Sequence, residues 1–195
     1  MAGTEPSAER ARLLIELAVQ VGDTRVERGI AMAKEAESMA RTLGDADVLG
    51  FVLLGARHIG RHPTRLEEHL HRAVELEQLG QRSGSLALML GGLNAQALLH
   101  LERGELSASF ERSDRFFRLL DGRHLPFFQI TARIQRATRA VLDGDLECAE
   151  ALAMETVRLA KDINHPPMTW AASTLANIRA SRPAMASPSV RWSGA

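Results

Sequence analysis

Histidine side chains are the groups in this chain best suited to bind a metal ion, and the sequence has seven of them. His58 and His62 lie four residues apart, a spacing that can place two imidazoles on one helical face. His62, however, precedes Pro63, which cannot continue a helix in mid-run, so we expect it at a helix end. His69 and His71 lie two residues apart and point to different sides of a helix. Because no carboxylate pair completes a ligand set, we favour surface or capping histidines over a metal site.

Cys148 is the single cysteine, and it stands near the start of an expected helix, where the helix dipole favours a thiolate. A catalytic cysteine also needs a base held by a third group, and the neighbours Glu147 and Glu150 oppose thiolate formation. The pair Glu67 and Glu68 lies on an expected solvent-facing flank, whereas glycosidase chemistry needs two carboxylates across a cleft. The sequence has no G-x-S-x-G nucleophile motif. We therefore expect neither an enzyme nor a cofactor.

Two sets of polar side chains are candidates for binding a partner. One set follows an expected helix over residues 86–103 and the other follows a helix over residues 127–143. The six candidates are Asn94, Gln96, His100, Gln129, Arg133 and Arg136. Arginines on such a surface can form bidentate hydrogen bonds with the carboxylates or phosphates of a partner. The competing interpretation is an ordinary solvated helix face.

The helices that would hold these residues recur with a period of about 40 residues, a length typical of tandem helical repeats. Within one period the recurring positions step by seven, three and three, which places them along one helical face. We expect a long apolar anchor at the start and end of each helix and a small residue near its centre, where a neighbouring helix approaches. The four columns are Val26, Leu66, Leu106 and Leu146; Ala33, Ala73, Ser113 and Ala153; Ala36, Leu76, Phe116 and Thr156; and Met39, Leu79, Leu119 and Leu159.

Turn residues follow the same period. Gly44, Gly84, His124 and Asn164 each stand one period apart, and glycine readily ends a helix in the left-handed conformation. Between the column helices we expect further helices over residues 7–21, 47–61, 86–103, 127–143 and 167–181. No segment alternates like a strand. The prediction is an all-α protein, an α-solenoid of about nine helices in antiparallel pairs over residues 7–181, followed by a disordered tail over 182–195.

Composition limits the partners. Lys plus Arg and Asp plus Glu both number 24, so the formal net charge is zero. A protein that binds nucleic acid through its whole surface normally carries a basic excess, so we expect no direct nucleic-acid partner. The longest apolar run, residues 48–56, is far shorter than the roughly 20 residues that a membrane span needs. We expect no membrane partner and a cytoplasmic location.

The repeat resembles the tetratricopeptide family. The segment over residues 144–153 looks like the loop and second helix of such a repeat, although the period here is longer than the family's usual length of about 34 residues. The segments 66–69 and 125–128 are similar to the long, degenerate repeats in the C-terminal parts of LuxR/MalT-type ATP-dependent transcriptional activators and multidomain bacterial adenylate cyclases. The resemblance implies a scaffold for protein interaction or effector sensing. The G-x-x-x-x-G-K-[ST] loop of the ATPase module in that family is missing.

Two functions compete at this point. The first is a non-catalytic scaffold in bacterial signalling or transcriptional regulation, which docks a peptide or a partner domain on the solenoid surface. The alternative is a fragment of a larger nucleotide-handling regulator, an ATPase-type activator or an adenylate cyclase, whose repeats sense an effector.

The two ends of the expected array differ in polarity. In the first helix, Leu13, Leu14, Leu17 and Val21 are expected to face inward, so that Arg10, Arg12 and Glu16 form a polar cap. The last helix has apolar residues, among them Trp170 and Leu175, with no following repeat to cover them. A homodimer through the C-terminal helix is therefore a candidate assembly.

Overall fold

The computed structural model describes residues 5–22 and 24–162, together with Thr174 and Asn177. Those residues form α-helices, short turns and one 3-10 helix, and they contain no strand, so the prediction of an all-α protein is confirmed. The predicted helix over 167–181 and the predicted tail over 182–195 lie outside the described ranges, apart from two single residues. The continuous described ranges contain eight α-helices: α1 (Ala8–Gly22), α2 (Val26–Leu43), α3 (Ala46–Ala56), α4 (Leu66–Ser83), α5 (Leu86–Glu102), α6 (Leu106–Leu120), α7 (Pro126–Leu142) and α8 (Leu146–Asp162).

The chain divides into two compact units. The first is Met1–Leu119, which holds α1 to α5 and nearly all of α6, and the second is Leu120–Ala195, which holds α7 and α8. In the first unit, one core cluster is shared by α1, α2 and α3. A second cluster is shared by α3, α4 and α5. Helix α3 therefore packs into both clusters.

The repeat period sets where four of the helices begin. Helices α2, α4, α6 and α8 begin at Val26, Leu66, Leu106 and Leu146, which are the members of the first predicted column. Helices α2 and α4 are capped at their C-terminal ends by Gly44 and Gly84, whose φ angles of 67° and 69° lie in the left-handed region that glycine adopts without steric cost. After α6, the residue in the left-handed conformation is Gly122, with a φ of 66°, and not the predicted turn residue His124.

The predicted burial of the columns is confirmed at their centre. At their start it is wrong for Val26 and Leu106, whereas Leu66 is half-buried and packs against a core cluster. All members of the columns that begin at Ala33 and Ala36 are buried. Val26 and Leu106, by contrast, are 45% and 42% exposed. Side chains in a helix lean toward its N-terminus, so the first residue projects past the end of the helix instead of over a neighbour. The buried columns are Gly29, His69, Ser109 and Ala149, three residues further on, and Ala40, Gly80, Leu120 and Ala160 near the end.

Helix α3 is shorter than predicted. It was expected over residues 47–61 but ends at Ala56, and residues 57–60 form a turn that includes Gly60 with a φ of 65°. Side chains bind the carbonyl groups at this point: Arg57 Nη1 donates to the carbonyl oxygen of Leu54, and His69 Nε2 donates to that of Gly60 at 3.3 Å. The bond from Arg57 satisfies a carbonyl of the last turn of α3, and the bond from His69 satisfies one in the turn that follows the helix.

The inward face of α1 agrees with the prediction at Leu14, which packs against the core cluster, and differs from it at Leu13 and Leu17. Its buried residues are Ala11, Ile15 and Ala18, whereas Leu13 and Leu17 are 64% and 51% exposed. Two alanines on the inward face allow α1 to lie close to its neighbours, and close approach favours small residues over leucine at that face.

Candidate functional site

Three of the predicted partner-binding residues lie on α5 in the first unit, and two of them are in the interior. Asn94 and Gln96 are only 7% and 2% exposed. His100 is half-buried near the end of α5, where its Nδ1 donates to Oε2 of Glu105 at 2.6 Å. In this conformation Asn94 and Gln96 do not lie on a partner-facing surface, which corrects the expectation that all six candidates line an exposed helix face. A partner role for His100 stays a prediction.

Gln96 belongs to a buried polar network around Glu77, whose side chain is 8% exposed. Gln96 Nε2 donates to Oε2 of Glu77 at 2.7 Å. Oε1 of the same carboxylate accepts from Gln81 Nε2 at 3.0 Å and from Arg115 Nη2 at 2.7 Å. The donors come from α4, α5 and α6, so one carboxylate links three helices. A buried carboxylate requires such partners, and the arrangement gives Gln96 a structural role.

The other three candidates lie on α7 in the second unit and are accessible in part. Arg136 is exposed, while Gln129 and Arg133 are half-buried. Arg133 donates through Nη1 to the carbonyl oxygen of Gln129 at 3.3 Å, and its Nε lies 3.5 Å from Oε2 of Glu155 on α8. An exposed ion pair of this length contributes little to stability. The guanidinium of Arg133 can therefore exchange this carboxylate for one on a partner, with Arg136 three residues away on the same side of the helix.

A chain of alternating charges, which was not predicted from the sequence, joins α2 to α4. Its members, in order of contact, are Glu75, Arg41, Glu37, Arg72, Glu68 and Arg65, with successive N–O distances of 2.7, 2.9, 2.8, 3.0 and 2.9 Å. The hydrogen bond from Arg65 lowers the pKa of Glu68 to about 2, and that from Arg41 lowers the pKa of Glu75. The available signal was the opposite sign of residues on α2 and α4 that are about 35 positions apart in the sequence, such as Glu37 and Arg72.

Histidines and arginines gather where α3 ends and α4 begins. His62 accepts a hydrogen bond from the backbone N–H of Thr64, as expected of a capping histidine. His69 is buried, so the prediction of a surface histidine is wrong for it. His58 is half-buried and its Nε2 atom is buried, so that prediction holds only in part for His58. Burial, reinforced by the charges of Arg57 and Arg61, lowers the pKa of His58 to about 3. Burial also lowers the pKa of His69.

In the first unit, the polar side chains described above bind one another across packed helices. In the second unit, Arg136 on α7 is exposed and Arg133 is half-buried. Across the described residues, no three His, Cys, Asp or Glu side chains are gathered so that they could hold a metal ion. None of the helices in the described ranges has the length and apolar character needed to cross a membrane. Comparison of the chain with protein-family models and with curated proteins finds no match.

Proposed function

We propose that this protein is a non-catalytic, protein-binding scaffold of the α-solenoid type, with tetratricopeptide-like helix pairs, that acts in bacterial signalling or transcriptional regulation. The observation that carries the proposal is the set of buried columns, one residue per repeat period, which run through α2, α4, α6 and α8. Helix pairs of equal length that bury equivalent positions are the units from which tandem helical arrays are built.

Contacts between equivalent helices support the same proposal. Glu37 on α2 pairs with Arg72 on α4, and Glu77 on α4 pairs with Arg115 on α6. Side chains of consecutive column helices thus meet directly inside the first unit. Nearest-neighbour contacts of this kind are the main source of stability in repeat proteins.

The partner surface that the geometry favours is on α7. Arg133 and Arg136 present guanidinium groups on one side of this helix, and Gln129 lies one turn before Arg133. Planar guanidinium groups bind carboxylates with two parallel hydrogen bonds. We therefore assign α7 to an acidic peptide segment of a partner protein.

The test is the binding of a panel of acidic peptides to the intact chain, followed by hydrogen exchange on the complex. We expect protection of α7, and we expect the combined substitution Arg133→Glu and Arg136→Glu to weaken binding at least about tenfold, or about 1.4 kcal/mol. The matched control is Arg118→Glu, because Arg118 is an exposed arginine on α6. Equal weakening by the control, or protection that avoids α7, would contradict the assignment.

A further inference from the structure

The segment that connects α3 to α4, residues 57–65, lies over the first unit as a strap with little deep burial. Three of its residues are exposed and the other six are half-buried. Its backbone hydrogen bonds are local: the N–H of Ile59 donates to the carbonyl oxygen of Ala56 at 3.0 Å, and that of Arg65 donates to the carbonyl oxygen of His62 at 2.9 Å. Segments with few buried contacts open at a lower free energy than the helices of a core.

Two imidazoles in the strap accept hydrogen bonds through Nδ1. Nη1 of Arg61 donates to Nδ1 of His58 at 3.4 Å, and a guanidinium can only donate. Nδ1 of His62 accepts from the backbone N–H of Thr64 at 3.4 Å and lies 3.0 Å from the hydroxyl oxygen of the same residue. A ring nitrogen accepts only while it carries no proton. Protonation at Nδ1 would therefore remove both acceptors from the closed strap.

The strap is positively charged even when its histidines are neutral. It contains Arg57, Arg61 and Arg65 and no acidic residue. Carboxylates from two helices pair with part of this charge: Glu102 of α5 binds Arg61, and Glu68 of α4 binds Arg65 at 2.9 Å. An additional positive charge on an imidazole of the strap would be repelled by the nearby arginines.

The surroundings of His58 oppose its protonation in the closed conformation. Burial lowers the pKa of His58 to about 3, and the charges of Arg57 and Arg61 on the strap and of His69 on α4 act in the same direction. The closed strap is therefore a conformation in which His58 stays neutral at pH values where an imidazole in water binds a proton.

His69 fastens the strap to α4 from below. It is buried, and its Nε2 donates to the carbonyl oxygen of Gly60 at 3.3 Å. Burial lowers the pKa of His69; the charges of Arg72 and Arg65 also lower it, whereas the bond to Gly60 and the charge of Glu68 raise it. A proton on His69 would leave this bond in place, so the acceptors His58 and His62 are the groups that protonation disconnects.

Apolar side chains lie under the strap. Ile59 packs against the core cluster shared by α1, α2 and α3. Gly60 lies so close to Ile30 of α2 that a methyl group on Gly60 would be 2.5 Å from Cγ1 of Ile30. Movement of the strap away from α2 would bring Ile30 and Ile59 into contact with water.

We propose that the strap is a pH-sensitive switch: protonation of His58 and His62 opens residues 57–65 while α3 and α4 stay folded. Opening moves His58 into water, where an imidazole binds a proton between pH 5 and pH 7. It also exposes Ile30 and Ile59. The inference goes beyond the proposed scaffold function and does not depend on the partner surface on α7.

Amide hydrogen exchange of the intact chain, resolved by NMR between pH 7 and pH 5 and corrected for the intrinsic rate, measures the opening. The reporters are the hydrogen-bonded N–H groups of Ile59, Thr64 and Arg65. We expect their opening constant to rise at least about tenfold over this range. The control is the N–H of Gly44, which donates to the carbonyl oxygen of Arg41 in a turn without histidine and should keep its opening constant.

A double variant tests which groups take up the protons. His58→Gln with His62→Asn keeps an acceptor oxygen in each place, and neither amide titrates. We expect this variant to lose the pH dependence of opening. The matched control is His71→Gln, which changes an exposed histidine on α4 and should leave that dependence unchanged.

The inference is overturned if the opening constant at Ile59, Thr64 and Arg65 does not change with pH. It is also overturned if the amides of α3 and α4 open by the same factor, because the whole unit then responds to acid. A double variant with intact helicity and the wild-type pH dependence overturns it as well. If the double variant does not fold, the comparison of the strap with α3 and α4 in the wild-type chain still decides.

Discussion

The carboxylate of Glu77 on α4 accepts a hydrogen bond from Nη2 of Arg115 on α6 at 2.7 Å, although the two residues lie on helices that are far apart in the chain. The other oxygen of Glu77 is bonded by Gln96 on α5. Side chains of α4, α5 and α6 in the first unit are therefore joined by the buried carboxylate of Glu77.

Removing only Arg115 from this network is expected to lower the free energy of unfolding more than removing Arg115 and Glu77 together. Arg115→Met leaves the Glu77 carboxylate with fewer donors in a buried place, and we expect it to lower the free energy of unfolding by about 1–3 kcal/mol. Adding Glu77→Leu to that variant removes the buried charge and restores part of the loss. Urea denaturation of the two single variants and the double variant gives the coupling energy. Strictly additive losses would show that the pair does not act as a unit.

The histidines at the start of α4 predict an acid-dependent loss of stability. The pKa of His58 is lowered to about 3 and that of His69 is also lowered, whereas an unfolded histidine titrates near its ordinary value of about 6.5. As the pH falls below that value the unfolded chain binds protons that the folded chain does not, so the free energy of unfolding falls. His58 alone accounts for about 2 kcal/mol between pH 7 and pH 5.

Urea denaturation at several pH values measures this slope. His58→Gln removes the titrating group and is expected to flatten the profile. The control His124→Gln changes an exposed histidine in the loop before α7. A profile for His58→Gln as steep as that of the wild-type chain would contradict the prediction.

An added methyl group is expected to lower the stability of the fold by different amounts at Gly92 on α5 and at Gly50 on α3. At Gly92 on α5 the methyl would lie 2.6 Å from the backbone nitrogen of Glu77, and a helix backbone cannot move aside locally. At Gly50 on α3 it would meet the end of the Leu88 side chain at the same distance, and a leucine can change rotamer. We expect Gly92→Ala to cost about 1–3 kcal/mol or more and Gly50→Ala to cost clearly less. Thermal unfolding of both variants checks this, and equal costs would be evidence against a close approach of α4 and α5.

Column residues at the start and at the end of a helix predict a contrast between equally apolar side chains. Leu79, near the end of α4, is buried, so Leu79→Ala should lower the free energy of unfolding by about 2–5 kcal/mol. Leu106, the first residue of α6, is largely exposed, and Leu106→Ala should cost less than about 1 kcal/mol. Chemical denaturation measures both losses of unfolding free energy. Equally large losses would support the sequence-based expectation that both leucines are buried anchors of their helices.

The sequence was sufficient to predict helices, their period and where α2, α4, α6 and α8 begin, because periodicity along one helix is a local property. It did not predict that the buried column begins at Gly29 and His69, since the side-chain lean at a helix start is a matter of three-dimensional geometry. At the early end of α3, Arg57 and His69 bind carbonyl groups and Gly60 adopts a left-handed conformation, features that a pattern of apolar residues does not record.

The candidate site was predicted less well for a related reason. Gln96 was chosen because it is polar on a helix, yet its partner Glu77 stands on the preceding helix. Which polar residues meet inside a helical protein depends on the distance and angle between its helices. The predicted partner role of Arg133 and Arg136 stays a prediction.

The column that begins at Gly29 has a consequence for how such a protein can change over time. Its members in the first unit are glycine, histidine and serine, and each suits its own surroundings: a methyl group on Gly29 would lie 2.7 Å from Cα of Gly22, whereas Ser109 donates to the carbonyl oxygen of Ala97 at 2.8 Å. A histidine side chain at position 29 would not fit against this backbone. We therefore expect that replacing one helix pair by another would produce a steric clash at this contact unless the neighbouring helix were changed as well.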